Sequence, residues 1–296
     1  MKRLFNNSFL IIAILAASVA SSFSVSPAQA LGALVPVPGM PGLPIAPGQT
    51  SPLEQGYLNG VWGADASHIF AVGYGNNGTG TLAKPVIYQT EDGTNWTSDS
   101  PLLPPGFDWG TGSLEAVWGV DADHAFAVGR GGVSTLSLPL VSTWDGSAWV
   151  ASSPDLPSSS WSSGELHGVW GSSLSNIYAV GHGGGTGFTN MPLVFYWDGS
   201  AWSSQGLTLP SGYTHAYLVD IWGSSDTNIY AAGRGQDAGD NDMPLLYWSN
   251  NGTSWSPITL TLPSGWSWGR LDSIWGSGPN DIYAVGTGDN GTKNAP

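Results

Sequence analysis

The chain has 296 residues, enough for one large core or two domains; 11% are aromatic, with 16 Trp, and only 9% are charged. A net charge of −14 with no basic footprint excludes a nucleic-acid-binding surface, and the absence of Cys leaves the chain no disulfides to rely on. Forty-three Gly and 21 Pro favour many short strands and turns over long helices.

Residues 1–30 read as a secretory signal peptide. Lys2 and Arg3 form a basic start, Phe9–Ala20 is a short apolar stretch, and Ala28-Gln-Ala30 offers a small-residue cleavage site. The apolar stretch is too short to span a bilayer stably, and none follows it, so no membrane span is expected. Cleavage would leave five basic against 21 acidic residues, a net charge of −16. The expected location is outside the cytoplasm: extracellular, cell-surface or periplasmic. Residues 31–57 follow as a Pro-rich linker, with five prolines in Leu31–Ser51 that block ladder hydrogen bonds.

From Leu58 onward the sequence repeats. Leu166-His-Gly-Val-Trp-Gly-Ser-Ser-Leu-Ser-Asn-Ile-Tyr-Ala-Val-Gly181 has counterparts at Leu58–Gly73, Leu114–Gly129, Leu218–Gly233 and Leu271–Gly286. Their tryptophans, Trp62, Trp118, Trp170, Trp222 and Trp275, recur at 52–56 residues, and each stands 11 residues before its closing glycine. A period near 50 predicts a propeller or another repeat array. Each repeat parses into four strands. Strand A is Leu-x-x-Val/Ile-Trp-Gly and strand B is Ile-Tyr-Ala-Val-Gly. Strand C is expected to start after Pro85, Pro139, Pro192 and Pro244, and strand D begins at Trp96, Trp149, Trp202 and Trp255. Asp92-Gly93, Asp145-Gly146, Asp198-Gly199 and Asn251-Gly252 between C and D are hairpin signals. Strand B is apolar on both faces, as a sheet sandwiched between neighbouring sheets requires.

Val-Trp-Gly-Ser-Ser-x-x-x-Ile-Tyr-Ala-Val-Gly followed by Tyr-Trp-Asp-Gly-Ser-x-Trp resembles the repeats of secreted bacterial β-propellers, from Leu58 to the end. Asp92-Gly-Thr-Asn-Trp96 also resembles the Asp-box turn of sialidase-like and lectin-like propellers, without the residue the Asp-box places between Asp and Gly. The resemblance implies an all-β propeller with blades at 58–113, 114–165, 166–217 and 218–270 and a half blade at 271–296. Pro296 aligns with the prolines before strand C, which leads to the expectation of an incomplete last blade. The outer edge of strand Ile282–Gly286 should then lack a partner and favour self-association.

The topology places the B-to-C and D-to-A loops at one end. The B-to-C loops open with Tyr74, Arg130, His182 and Arg234 at one equivalent position, and the D-to-A loops carry Trp109, Trp161, Tyr213, Trp266 and Trp268. Aromatic faces beside planar donors suit sugar recognition, so these nine are the candidate ligand-binding residues; the competing reading packs the aromatics between blades. Asp237, Asp240 and Asp242 offer hard oxygen ligands for calcium, although no other repeat copies them, which favours a solvated acidic loop. No cofactor is otherwise expected.

Catalysis has little support at this level. Glu occurs only at Glu54, Glu91, Glu115 and Glu165, and no Ser-His-Asp order or phosphate-binding loop appears. The leading expectation is therefore a non-enzymatic module binding glycans or surface polysaccharide. One alternative is a protein-interaction scaffold. Another is a propeller-type polysaccharide hydrolase or lyase with its catalytic residues in a part of the protein beyond this chain.

Overall fold

A computed structural model describes residues 9–14, 55–76, 83–133 and 136–289. Among them are 19 strands and no helix, so no helix is long and apolar enough to cross a membrane. Strand β1 is Phe9–Ile14. The first blade comprises β2 (Gln55–Gly63), β3 (Ile69–Asn76), β4 (Lys84–Thr90) and β5 (Trp96–Asp99). The second comprises β6 (Asp108–Asp121), β7 (His124–Val133), β8 (Leu136–Trp144) and β9 (Trp149–Ser152). The third comprises β10 (Trp161–Ser173), β11 (Asn176–Gly185), β12 (Phe188–Trp197) and β13 (Trp202–Gln205). The fourth comprises β14 (Tyr213–Ser225), β15 (Asn228–Asp237), β16 (Asp242–Ser249) and β17 (Trp255–Ile258). A last hairpin joins β18 (Trp268–Gly278) to β19 (Asp281–Asp289). Each four-stranded sheet is an antiparallel meander in chain order, the architecture of a β-propeller.

The second strand of each blade is the most apolar because it is covered on both faces. Val128, Val180 and Ala232 have no exposed surface, nor do Ala127, Ala179 and Ala231 beside them. Burying a Val or Leu side chain in this way stabilises by about 1.5–3 kcal/mol.

The repeated Trp-Gly pair is a contact between blades. Trp170 of the third blade lies over Gly223 of the fourth so closely that a methyl on Gly223 would stand 2.6 Å from the indole ring. Trp62 covers Gly119, Trp118 covers Gly171 and Trp222 covers Gly276 in the same manner. A second contact pairs a strand-two aromatic with the outer tryptophan of the next blade: Phe70 with Trp149 at 5.3 Å, Phe126 with Trp202 at 6.3 Å, Tyr178 with Trp255 at 6.1 Å. The step from blade to blade is thus written into residues that each blade carries.

The turn between the third and fourth strands closes as the Asp-Gly dipeptides require. Asp145 Oδ1 accepts hydrogen bonds from the amides of Ser147 and Ala148, and Gly146 takes φ 87°. Asp92, Asp198 and Asn251 make the same pair of bonds. Side-chain bonds to the backbone in place of a sheet ladder favour turns at these residues.

Three expectations need correction. The third strands begin before their prolines, which lie inside β4, β8, β12 and β16 opposite Tyr74, Arg130, His182 and Arg234. The first strands also begin early, so Trp109, Trp161, Tyr213 and Trp268 stand on strands and not in loops. Third, in the full chain the edge of β19 is covered by a segment that the sequence reading assigned to the signal peptide. Phe9–Ile14 pairs antiparallel with Ile282–Thr287 along it, because an edge of free N–H and C=O groups accepts any extended apolar segment within reach. The outer faces at the two ends of the array stay open: Val61 is 71% exposed and Trp275 60%. The linker Leu31–Ser51 and Pro296 lie outside the described residues.

Candidate functional site

Every inner strand carries a β-bulge at the same place. In the third blade Leu166 pairs with Gly181 and Gly168 with Val180, leaving His167 as the extra residue. The same slip sets off Asn59, Glu115, Val219 and Asp272. A bulge re-aims the side chain it sets free. The closing glycine of the repeat is the price of this bend: a methyl on Gly181 would stand 1.8 Å from the carbonyl oxygen of Glu165, and Gly73, Gly129, Gly233 and Gly286 show the same approach at 1.8–2.0 Å.

On the loop side of the bulges lies a second row, Tyr57, Ser113, Glu165, Tyr217 and Arg270, paired across the hairpins with Tyr74, Arg130, His182, Arg234 and Thr287. The two rows converge most strongly on the second to fourth blades. Arg130 donates to Glu165 Oε1 at 2.9 Å and to Ser113 Oγ at 3.3 Å, and Ser113 donates to Glu115 Oε1 at 2.8 Å. Asn59 of the first blade donates to the other Glu115 oxygen at 3.1 Å. His167 Nε2 and His182 Nδ1 are 3.1 Å apart, their rings nearly parallel. The His182 ring lies 4.8 Å from that of Tyr217, over which the Arg234 guanidinium sits at 4.5 Å while it donates to Asp242 at 3.1 Å. Burial holds both imidazoles towards the neutral form, and His182, also beside His167, is pushed down to about 4 against the pull of Glu165. Beside them opens a cavity of about 390 Å³ lined in part by Ser163, Glu165, His182, Phe188 and Asn190.

Of the residues expected from sequence, Tyr74, Arg130, His182 and Arg234 therefore stand beside this second row; Tyr74 stacks on Tyr57 at 5.1 Å. The aromatics are placed differently. Trp161 lies against Gly183 and Phe188, Tyr213 against Gly235 and Trp266 against Gly288, each ring filling space that a Cβ would need. Trp268 is half-buried at the start of β18, and the side chain of Trp109 lies outside the described part of the structure. The three aspartates point to different duties. Asp237 accepts from the amides of Gly239 and Asn241, closing a turn; Asp242 pairs with Arg234; Asp240 takes φ 60° in the turn. Glu115, Glu165, His167 and Tyr217 are the functional candidates that the sequence reading missed. The signal was present: they flank the repeated Leu at fixed offsets, and strand pairing sets that row opposite the residues after the repeated Gly.

No protein family and no curated protein matches the chain. Solved structures with a similar fold include a glycosyl hydrolase from Bacteroides ovatus (TM-score 0.46, 10% identity, covering 79% of this chain and 84% of that one). A second is an arabinanase from Bacillus subtilis (0.42, 10%, covering 77% and 92%), and a third a fucose lectin from Kordia zhangzhouensis (0.33, 16%, covering 49% and 98%). The likeness is one of fold. The expectation of a non-enzymatic binding module is not carried further, since these similar folds are mainly named as glycoside hydrolases and phosphorylases. Glu115 and Glu165, scattered in sequence, are linked across adjacent blades through Ser113 and Arg130.

Proposed function

We propose that the chain is a carbohydrate-active propeller of the glycoside-hydrolysing class, working where these rows of the inner strands lie side by side. The observation that carries this is the chain of contacts Glu115–Ser113–Arg130–Glu165, which fixes two carboxyl groups on neighbouring blades at the mouth of one face. Glycoside hydrolysis needs two carboxyl groups: one protonates the leaving oxygen, and the other activates water or attacks the sugar. Arg130 orients Glu165 directly and Glu115 through Ser113. The stacked Tyr57 and Tyr74 on the adjoining blade and the Tyr217 ring offer apolar faces for sugar C–H surfaces. Action outside the cytoplasm belongs to the same proposal, since the N-terminal basic and apolar segment would direct the chain to where polymeric glycans lie.

The test is release of reducing ends from a broad set of polysaccharides by the folded full chain. Glu165→Gln and Glu115→Gln should each lower the rate by about 10²–10⁴-fold with unchanged circular dichroism. No release from any polysaccharide by folded wild-type chain, or release that both variants retain, would refute the proposal.

A further inference from the structure

We infer that Glu165, His167 and His182 form a binding site for a divalent transition-metal ion, of which zinc is the best match. One ligand atom from each lies within 4.8 Å of the others, and all three residues are half-buried. Two imidazoles and a carboxylate are the borderline donor set that zinc takes, often leaving a further position for water. The spacing of the imidazole nitrogens bears on this directly. Bonds of about 2.0–2.1 Å at tetrahedral angles put two ligand nitrogens about 3.3 Å apart, and His167 Nε2 stands 3.1 Å from His182 Nδ1.

The surroundings support the same reading. Arg130 occupies Glu165 Oε1, which orients the carboxylate and leaves Oε2 for the ion. The charged groups nearby are Arg130 and Arg234 against Glu115, Glu165 and Asp242, so the surroundings carry a net charge of −1 before any ion arrives. The cavity beside Glu165 and His182 gives an entry path. The three ligands come from one hairpin, two flanking Leu166 and one following Gly181, so the bulge at His167 is what brings them to one point. Calcium, which prefers six to eight oxygen ligands, does not suit two nitrogen donors.

This site shares Glu165 with the proposed carboxyl pair, but its test reads metal binding alone and uses no sugar. Full-length chain freed of metal with a chelator is titrated with Zn²⁺ by calorimetry, and with Co²⁺ while the visible spectrum is followed. The expected result is one ion per chain at micromolar affinity or tighter, with Co²⁺ giving the intense visible bands of a four- or five-coordinate site and Ca²⁺ failing to compete. His167→Ala and His182→Ala should each weaken Zn²⁺ binding by at least about 100-fold, and Glu165→Gln, a nearly isosteric change that keeps the fold if the histidine variants do not, by at least about 10-fold. A wild-type chain that takes up no Zn²⁺ holds a histidine–histidine hydrogen bond only, and overturns the inference. Uptake unchanged in Glu165→Gln and in every folded histidine variant overturns it equally.

Discussion

Gly181 shows how much one residue position can decide. Its Cα hydrogen faces the carbonyl oxygen of Glu165, where a methyl would stand 1.8 Å away, so Gly181→Ala must push the two strands apart at the bulge. Overpacking of this kind costs about 1–3 kcal/mol, and here it also moves Glu165 and His182 relative to each other. The expected outcome is a lower melting temperature together with loss of function at this site. Gly278→Ala, where nothing lies within 4 Å, should leave both unchanged. Equal melting curves for the two variants would show that the bulge is not held by this contact. The offset rows around each Leu and closing Gly were readable as sequence. Which members carry the chemistry was not, because the bulge that exposes His167 leaves no mark beyond an extra residue in the strand.

At the scale of elements the repeated Trp does different work in different blades. Trp170 is half-buried over Gly223, whereas Trp275, at the same place in the repeat, is 60% exposed. Trp170→Ala should cost about 3 kcal/mol, near the low end for losing a packed tryptophan. That is a fall of about 6–12 °C for a domain of this size. Trp275→Ala should stay within about 0.5 kcal/mol, the range of ordinary surface substitutions. Thermal denaturation of both variants decides the point, and equal losses would mean that Trp275 is covered in solution. The aromatics Trp161, Tyr213 and Trp266 carry a related lesson. Sequence placed them in loops, either binding ligand or packing between blades; Trp161 and Tyr213 stand on inner strands that start early and, with Trp266 just before β18, lay their rings against Gly183, Gly235 and Gly288. Strand ends are set by cross-strand partners, which a single strand does not contain.

The whole molecule repeats its turn chemistry, and so should its response to acid. Hydrogen bonds from Ser147 and Ala148 hold Asp145 below its ordinary value of 3.8, bonds from Ser200 and Ala201 do the same for Asp198, and bonds from Asn95 and Thr94 for Asp92. A carboxyl group whose folded-state pKa lies below its unfolded value adds stability that is complete above the unfolded value. That stability is lost as pH falls through the folded one. In 0.15 M salt, which screens the net charge over about 8 Å, the urea midpoint should decline from about pH 6.5, as His167 and His182, held neutral by burial, charge only in the unfolded chain, and fall further below about 4 as these carboxyls protonate. Asn251 makes the same turn without a charge, so Asp145→Asn with Asp198→Asn should keep the fold and flatten the acid limb. An acid limb as steep as that of the wild-type chain would sink the account.

The sequence by itself determined the blades. A 52–56-residue period, Asp-Gly turns and a strand apolar on both faces specify a four-stranded meander, because turn geometry and period-two burial are local properties. It also determined that Tyr74, Arg130, His182 and Arg234 share one end. Only the tertiary structure decided what they meet there. Glu165 stands 35 residues from Arg130, and Tyr217 stands 35 from His182 and on another blade. Such pairs form only when neighbouring sheets stack, and no period, turn or local pattern in one repeat records which residue the next repeat will bring beside it.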